Sequence, residues 1–277
     1  MTGKIYGNSG PRVLAVANQK GGVGKTTTAI NLGTALAAVD QRVLVIDLDP
    51  QGNASTGLGI DEQSRTISIY DVMSRTATLH QAAIPSKIPN LAVAPATRDL
   101  AGLEPELNAS SNRAFRLRDA IMNMKAIDSE MPEDKRINYV LIDCPPSLNI
   151  LTINAMSAAD SVLVPVQCEF FALEGIQQLA ESIDYVKASL NPDLEIHGVV
   201  LTMHDSRTKL ADEVASEVRN FFGEKVYATE IPRNVRIAEA PSHGKPILLY
   251  DHKCVGSKAY IRLASEIIDR ENLLGAA

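Results

Sequence analysis

Two lysines, three glycines and two threonines lie within eight residues, Lys20-Gly21-Gly22-Val23-Gly24-Lys25-Thr26-Thr27. Glycines let successive backbone N–H groups turn inward and form a nest for an anion. Lys25 can reach terminal phosphates as a mobile point charge, and the Thr26 hydroxyl can ligate Mg²⁺. The phosphate-loop pattern G-x-x-x-x-G-K-[ST] places its first glycine at position 19, where this chain has Gln19. A second lysine, Lys20, follows at once. Its charge repels Lys25 unless an anion lies between them, so Lys20 is either a further phosphate ligand or a solvated surface lysine. Asp47, Asp49 and Asp143 lie at or just past the ends of apolar runs, where carboxylates can meet a bound metal or phosphate.

Position depends on the flanking elements. Val13–Ala17 reads as a buried parallel strand, and Ala29–Ala37 as a helix whose N-terminus adds a positive dipole end to the loop. Gln41–Asp47 is a second strand. Alternate residues of an extended chain share a face, so the carboxylates of Asp47 and Asp49 can point one way, before Pro50 and Gly52 break the strand. A helix-capping Asp followed by a turn Asp is the competing reading. Residues 54–59 read as a small-residue loop, 67–73 as a short helix, 91–95 as a short strand and 97–126 as mostly helical. Asp128–Lys135 reads as an exposed charged loop. Ile137–Asp143 is a strand ending in an acid that can hold Mg²⁺ opposite Thr26, with Ser147 as a helix cap beyond it. Cys144 reads as a small buried residue. Strands at 160–166 and 195–202 enclose a helix from 176 to 190. A short strand precedes Ile231, and a terminal helix runs from Lys258 to Leu274. This βα alternation predicts an α/β fold: a doubly wound, mostly parallel sheet of about seven or eight strands flanked by helices.

Residues 1–11 read as a loose polar tail, and 12–277 as one domain. The chain carries 27 Lys and Arg against 33 Asp and Glu, a net charge of −6, which excludes a wholly basic nucleic-acid surface. Residues 203–262 differ, with ten basic against eight acidic side chains. Three cysteines without C-x-x-C spacing argue against structural zinc or a disulfide framework, and His204, His243 and His252 lack metal-ligand spacing. The absence of a long apolar segment predicts a cytoplasmic protein that does not engage a membrane.

The loop from Lys20 to Thr27 resembles the deviant Walker A motif of the ParA/MinD ATPases. Asp47-Leu48-Asp49-Pro50-Gln51-Gly52-Asn53 and Asp143-Cys144-Pro145-Pro146-Ser147 are similar to the chromosome-partitioning ParA (Soj) branch. The resemblance implies a P-loop ATPase that binds ATP and Mg²⁺ through residues 20–27, with Asp143 acting on the metal through water and Asp49 positioning the attacking water. It implies Pro232 and Asn234 on the adenine side. Arg207 and Arg236 match arginines that hold non-specific double-stranded DNA, although a solvated helix face or an internal salt bridge would equally account for them. It further implies an ATP-state homodimer in which Lys20 acts in trans, a ParB-type partner that stimulates hydrolysis, and association with the nucleoid. A MinD-like membrane ATPase is the alternative. The mixed polar face of the terminal helix, with Arg262, Glu266, Asp269 and Glu271, argues against it.

Overall fold

A computed structural model describes residues 10–107, 110–169 and 172–275, without the side chains of 172–177 and 274–275. All but the last two residues of the expected N-terminal tail lie outside this range.

Near-continuous apolar runs build the strands. They are β1 (Arg12–Val16), β2 (Val43–Asp47), β3 (Ile84–Pro85), β4 (Leu91–Ala94), β5 (Tyr139–Asp143), β6 (Ser161–Gln167) and β7 (Glu195–Thr202). Among the described residues they form one seven-stranded sheet in the order β3-β4-β2-β5-β1-β6-β7. Every pairing is parallel except β3 with β4. Runs apolar on both sides suit a sheet covered on both faces. Side chains at 13 and 15 pack into one core cluster and those at 14 and 16 into another.

The helices that cover the sheet are α1 (Lys25–Ala38), α2 (Asn53–Gly57), α3 (Ile69–Met73), α4 (Leu79–Ala82), α5 (Leu103–Leu107), α6 (Arg116–Glu130), α7 (Ile150–Ala158), α8 (Ala172–Ser189), α9 (Lys209–Phe222), α10 (Val235–Glu239), α11 (Ile247–Tyr250) and α12 (Val255–Gly275). β1 lies between β5 and β6, where the winding changes direction, and the loop after it opens at the crevice that such sheets use for ligands. In register, Asp143 sits opposite Asp47 on one side and Val16 on the other, so the three strand ends stand level beneath that loop.

Five local expectations change. Residues 53–57 form a helix and not a loop, because the Asp47 carboxylate accepts from the Ser55 N–H at 2.7 Å and stabilises a short turn of small residues. Asp128 is buried in α6, where it meets His80 Nε2 at 3.0 Å and accepts from Ile137 N–H. α7 is capped by Asn149, whose side chain accepts from the N–H groups of Leu151 and Thr152, rather than by Ser147. The segment before Ile231 touches β7 through an isolated bridge from Val226 to Val199 without forming a strand, and Pro232 bridges His204 just past β7. Between them the N–H groups of Ala228 and Thr229 donate to the Glu266 carboxylate instead of to a neighbouring strand.

The fifth change concerns Glu271, expected on the polar face of the terminal helix. It is buried, accepting from Arg12 Nε at 2.7 Å and meeting His197 Nε2 at 2.6 Å. His197 Nδ1 in turn meets the Tyr227 hydroxyl. The apolar face of α12, with Tyr260, Leu263, Ala264 and Ile267, is buried in the cluster that α1 also fills.

Candidate functional site

The site is assembled from the ends of β1, β2, β5 and β7. After β1 the chain turns through Gly22 (φ +76°) and Gly24 (φ +90°), conformations that an L side chain resists. A methyl group added at Gly21 or Gly22 would meet nothing within 4 Å, so this arc of the loop is open to solvent. Val23 is buried, and its carbonyl accepts from the Thr202 hydroxyl at the end of β7 (2.8 Å).

Lys25 begins α1 and is buried to 6% exposure, with its ammonium donating to the Lys20 carbonyl at 2.9 Å. Burial lowers its pKa, and the nearby acids Asp143 and Asp49 act in the opposite sense. Lys20 is half-buried; its N–H donates to the Asn18 side chain at 3.0 Å. Thr26 and Thr27 follow in the first turn of α1, where a helix offers unpaired N–H groups to an anion.

Asp143 is fully buried, and neither carboxylate oxygen meets a donor in full hydrogen-bond geometry, the Thr26 hydroxyl lying near enough only for a weak interaction. Burial raises its pKa well above the ordinary range, the charges of Asp47 and Asp49 add to this, and the Thr26 hydroxyl and Lys25 ammonium only partly offset it. An orphaned buried carboxylate is costly. A divalent cation, or water held by one, would satisfy it, so the residues present fit Mg²⁺. Among the described residues no three His, Cys, Asp or Glu side chains gather as a metal cage. Mg²⁺ that keeps waters and substrate oxygens needs none.

Asp47 and Asp49 divide their roles. The Asp47 carboxylate accepts from Ser55 N–H and from the Ser55 hydroxyl at 2.6 Å, and burial pushes its pKa up to about 6. Asp49 is half-buried, accepts from Gln51 N–H at 3.0 Å, and lies close enough for its charge to act on Lys25 and Asp143. Two residues that the sequence reading passed over support this loop. Ser55 also accepts from Ala96 N–H, and buried Arg65 donates to the carbonyls of Ala96 and Ile60 and to the Thr56 hydroxyl.

Beyond β7 the chain carries Met203 at φ +52° beside Gly24, and the His204 N–H donates to the Ile231 carbonyl at 3.0 Å. With the bonds from Ile231 N–H to the Leu201 carbonyl and from Arg233 N–H to the His204 carbonyl, this ladder holds residues 231–233 alongside the chain that leaves β7. Asn234 caps α10 by accepting from Arg236 N–H, and Pro232 is half-buried. Arg207 is exposed and paired with Asp205 through two contacts of 2.8 and 2.7 Å. Arg236 is exposed and paired with Glu239 at 3.1 Å. Cys144 and Cys168 are both buried and unoxidised, and burial raises both thiols, Cys168 to about 12.

Comparison with known proteins agrees with this geometry. A family model described as an AAA domain matches residues 11–196. The chain is 61% identical over 260 residues to the chromosome partitioning protein ParA of Caulobacter vibrioides, covering 94% of this chain and 95% of that protein. It is 49% identical to the sporulation initiation inhibitor protein Soj of Bacillus subtilis, covering 92% of this chain and 98% of that one. Among solved structures, one titled cobyrinic acid a,c-diamide synthase from Mycobacterium smegmatis, with a bound ATP analogue and magnesium, superposes with a TM-score of 0.78 at 36% identity, covering 92% of this chain and 93% of that one. The higher identity lies with the partition proteins and extends well past the phosphate loop, and on that basis the chain belongs to the ParA/Soj family of chromosome-partitioning ATPases.

Proposed function

We propose that ATP bound in the loop after β1 joins two copies of the chain face to face, each Lys20 reaching the phosphates held by its partner, and that the joined pair binds DNA irrespective of sequence. The reaction is hydrolysis of ATP to ADP and phosphate with Mg²⁺. Lys25 exchanges the Lys20 carbonyl for terminal phosphate oxygens. Thr26 and, through water, Asp143 would hold Mg²⁺, which when bound draws charge from the phosphate oxygens. Asp49 orients the attacking water more than it acts as a strong base. Gly21, Gly22, Val23, Gly24 and Thr27 supply backbone groups to the phosphates, and Pro232 and Asn234 flank the adenine.

A cation entering from the neighbouring subunit stabilises charge that grows in the transition state, as a trans-acting arginine does in other phosphoryl-transfer enzymes. Reciprocal insertion gives a closed two-fold pair. Arg207 and Arg236 offer DNA contacts: both guanidiniums are exposed, and a solvent-facing single contact such as Arg236 with Glu239 is worth only about 0–1 kcal/mol, so a phosphate can replace that carboxylate. Pairing doubles a modest patch, which makes DNA binding depend on ATP. A ParB-type partner that stimulates hydrolysis would release the pair, and the working location is the nucleoid in the cytoplasm. A MinD-like membrane role finds little support, because α12 buries its apolar face against the body.

One observation carries this reading. The lysine that grips phosphate in cis is bonded to the carbonyl of the lysine assigned to act in trans, so nucleotide capture and subunit pairing share one hinge. The test is retention on random-sequence DNA with ATP, with ADP and without nucleotide, at several salt concentrations. Retention confined to ATP and falling steeply with salt supports the proposal. Equal retention in all three states would contradict it.

A further inference from the structure

We propose that Gln19 and Ser182 are positioning residues for Lys20. The proposal rests on the trans role of Lys20 and adds what prepares it. Position 19 is where the general phosphate-loop pattern carries a glycine. Here the Gln19 side-chain amide donates to the Ser182 hydroxyl at 2.6 Å and to the Gln178 carbonyl at 3.1 Å, both on α8. Ser182 is buried, and its hydroxyl donates to the same Gln178 carbonyl at 2.8 Å. One residue earlier, buried Asn18 donates to the Pro165 carbonyl of β6 at 2.8 Å and accepts from Lys20 N–H. The Lys20 carbonyl is taken by Lys25.

Without phosphate Lys20 therefore leaves a backbone bonded on both sides; once phosphate recruits Lys25, the bond from Lys20 N–H to Asn18 and the attachment of Gln19 to α8 are the ones that remain. A lysine side chain keeps several rotatable bonds, so its starting point is the part that can be fixed before a partner arrives. Fixing it lowers the ordering cost of reaching across a subunit boundary. A glycine at 19 would supply none of these bonds. The loop would still wrap a phosphate in cis, while the base of Lys20 would lose its attachment to α8.

The test compares Gln19→Gly, Ser182→Ala, Ser182→Thr and Lys20→Ala by sedimentation with a non-hydrolysable ATP analogue, alongside nucleotide affinity and melting temperature. Each Gln19→Gly subunit loses up to two hydrogen bonds of ordinary net strength, so the pair should dissociate about tenfold more readily or worse. Nucleotide affinity should change less than pairing does. Ser182→Ala should shift pairing in the same direction by less, and Ser182→Thr, which keeps the hydroxyl, should restore it. Wild-type pairing in Gln19→Gly together with lost pairing in Lys20→Ala would overturn the positioning role and leave the trans lysine standing. Wild-type pairing in Lys20→Ala would instead overturn the reading beneath both. A loss of melting temperature and nucleotide affinity as large as the loss of pairing would make Gln19 merely structural, and so overturn the proposal.

Discussion

The ammonium of Lys25 lies 2.9 Å from the carbonyl oxygen of Lys20, so the two lysines of the loop meet through backbone rather than through opposed charges. A donor in this position closes the loop on itself when no phosphate is there. A phosphate that recruits Lys25 removes that closure and alters the backbone from which the second lysine extends.

The orphaned carboxylate of Asp143 predicts a trade between stability and activity. Asp143→Asn removes a fully buried carboxyl whose ionised form burial disfavours, so the nucleotide-free chain should melt higher by a few degrees, as expected when a costly active-site group is replaced by a neutral one. Mg²⁺-dependent hydrolysis should fall by at least about a hundredfold. Calorimetry and phosphate release check the two arms separately.

Asp49→Ala should leave nucleotide binding intact and slow hydrolysis on the order of a hundredfold, since orientation of the water is lost while phosphate contacts remain. The variant should persist as an ATP-loaded pair on DNA. Ordinary turnover in a phosphate-release assay would remove Asp49 from the mechanism.

Arg236→Glu should abolish retention on DNA and leave pairing in ATP unchanged. Arg236 is exposed and its partners, Glu239 and a more distant Asp251 at 3.9 Å, are half-exposed, so stability should shift by about 1 kcal/mol or less. Filter retention at low salt, with sedimentation as the control, reads both quantities.

The Glu271 cluster gives a prediction about pH. Burial alone would raise the Glu271 pKa, but hydrogen bonds and charge from His197 and Arg12 outweigh it, and the folded value lies below the ordinary 4.5. A carboxylate depressed in the folded state contributes stability that is present above 4.5 and is lost as pH falls through its folded value. Glu271→Ala leaves Arg12 and His197 without their shared acceptor and should cost about 3 kcal/mol, roughly 6–12 °C in Tm. The difference between wild type and variant should narrow below pH 4.5.

Much of the site was legible in the sequence because it is local. The phosphate loop needs only glycines, a lysine and a threonine at fixed spacing between a strand and a helix, and the apolar runs ending at Asp47 and Asp143 place both acids at strand ends. The parts that stayed hidden depend on partners distant in sequence. Helix α2 forms because Ser55 answers both Asp47 and Ala96, which is 41 positions away. Glu271 pairs with Arg12 across 259 positions, although its place four residues after buried Ile267 already puts it on the apolar face. The bonds from Gln19 to α8 have no local signature beyond the missing glycine.

Sedimentation of the hydrolysis-slowed Asp49→Ala chain with and without a further Lys20→Ala change, in saturating ATP and Mg²⁺, tests the trans lysine most directly. Asp49→Ala alone should sediment as a pair and the double variant as a single chain, with ATP bound in both. A double variant that still pairs would contradict the idea that one subunit's Lys20 completes its neighbour's site.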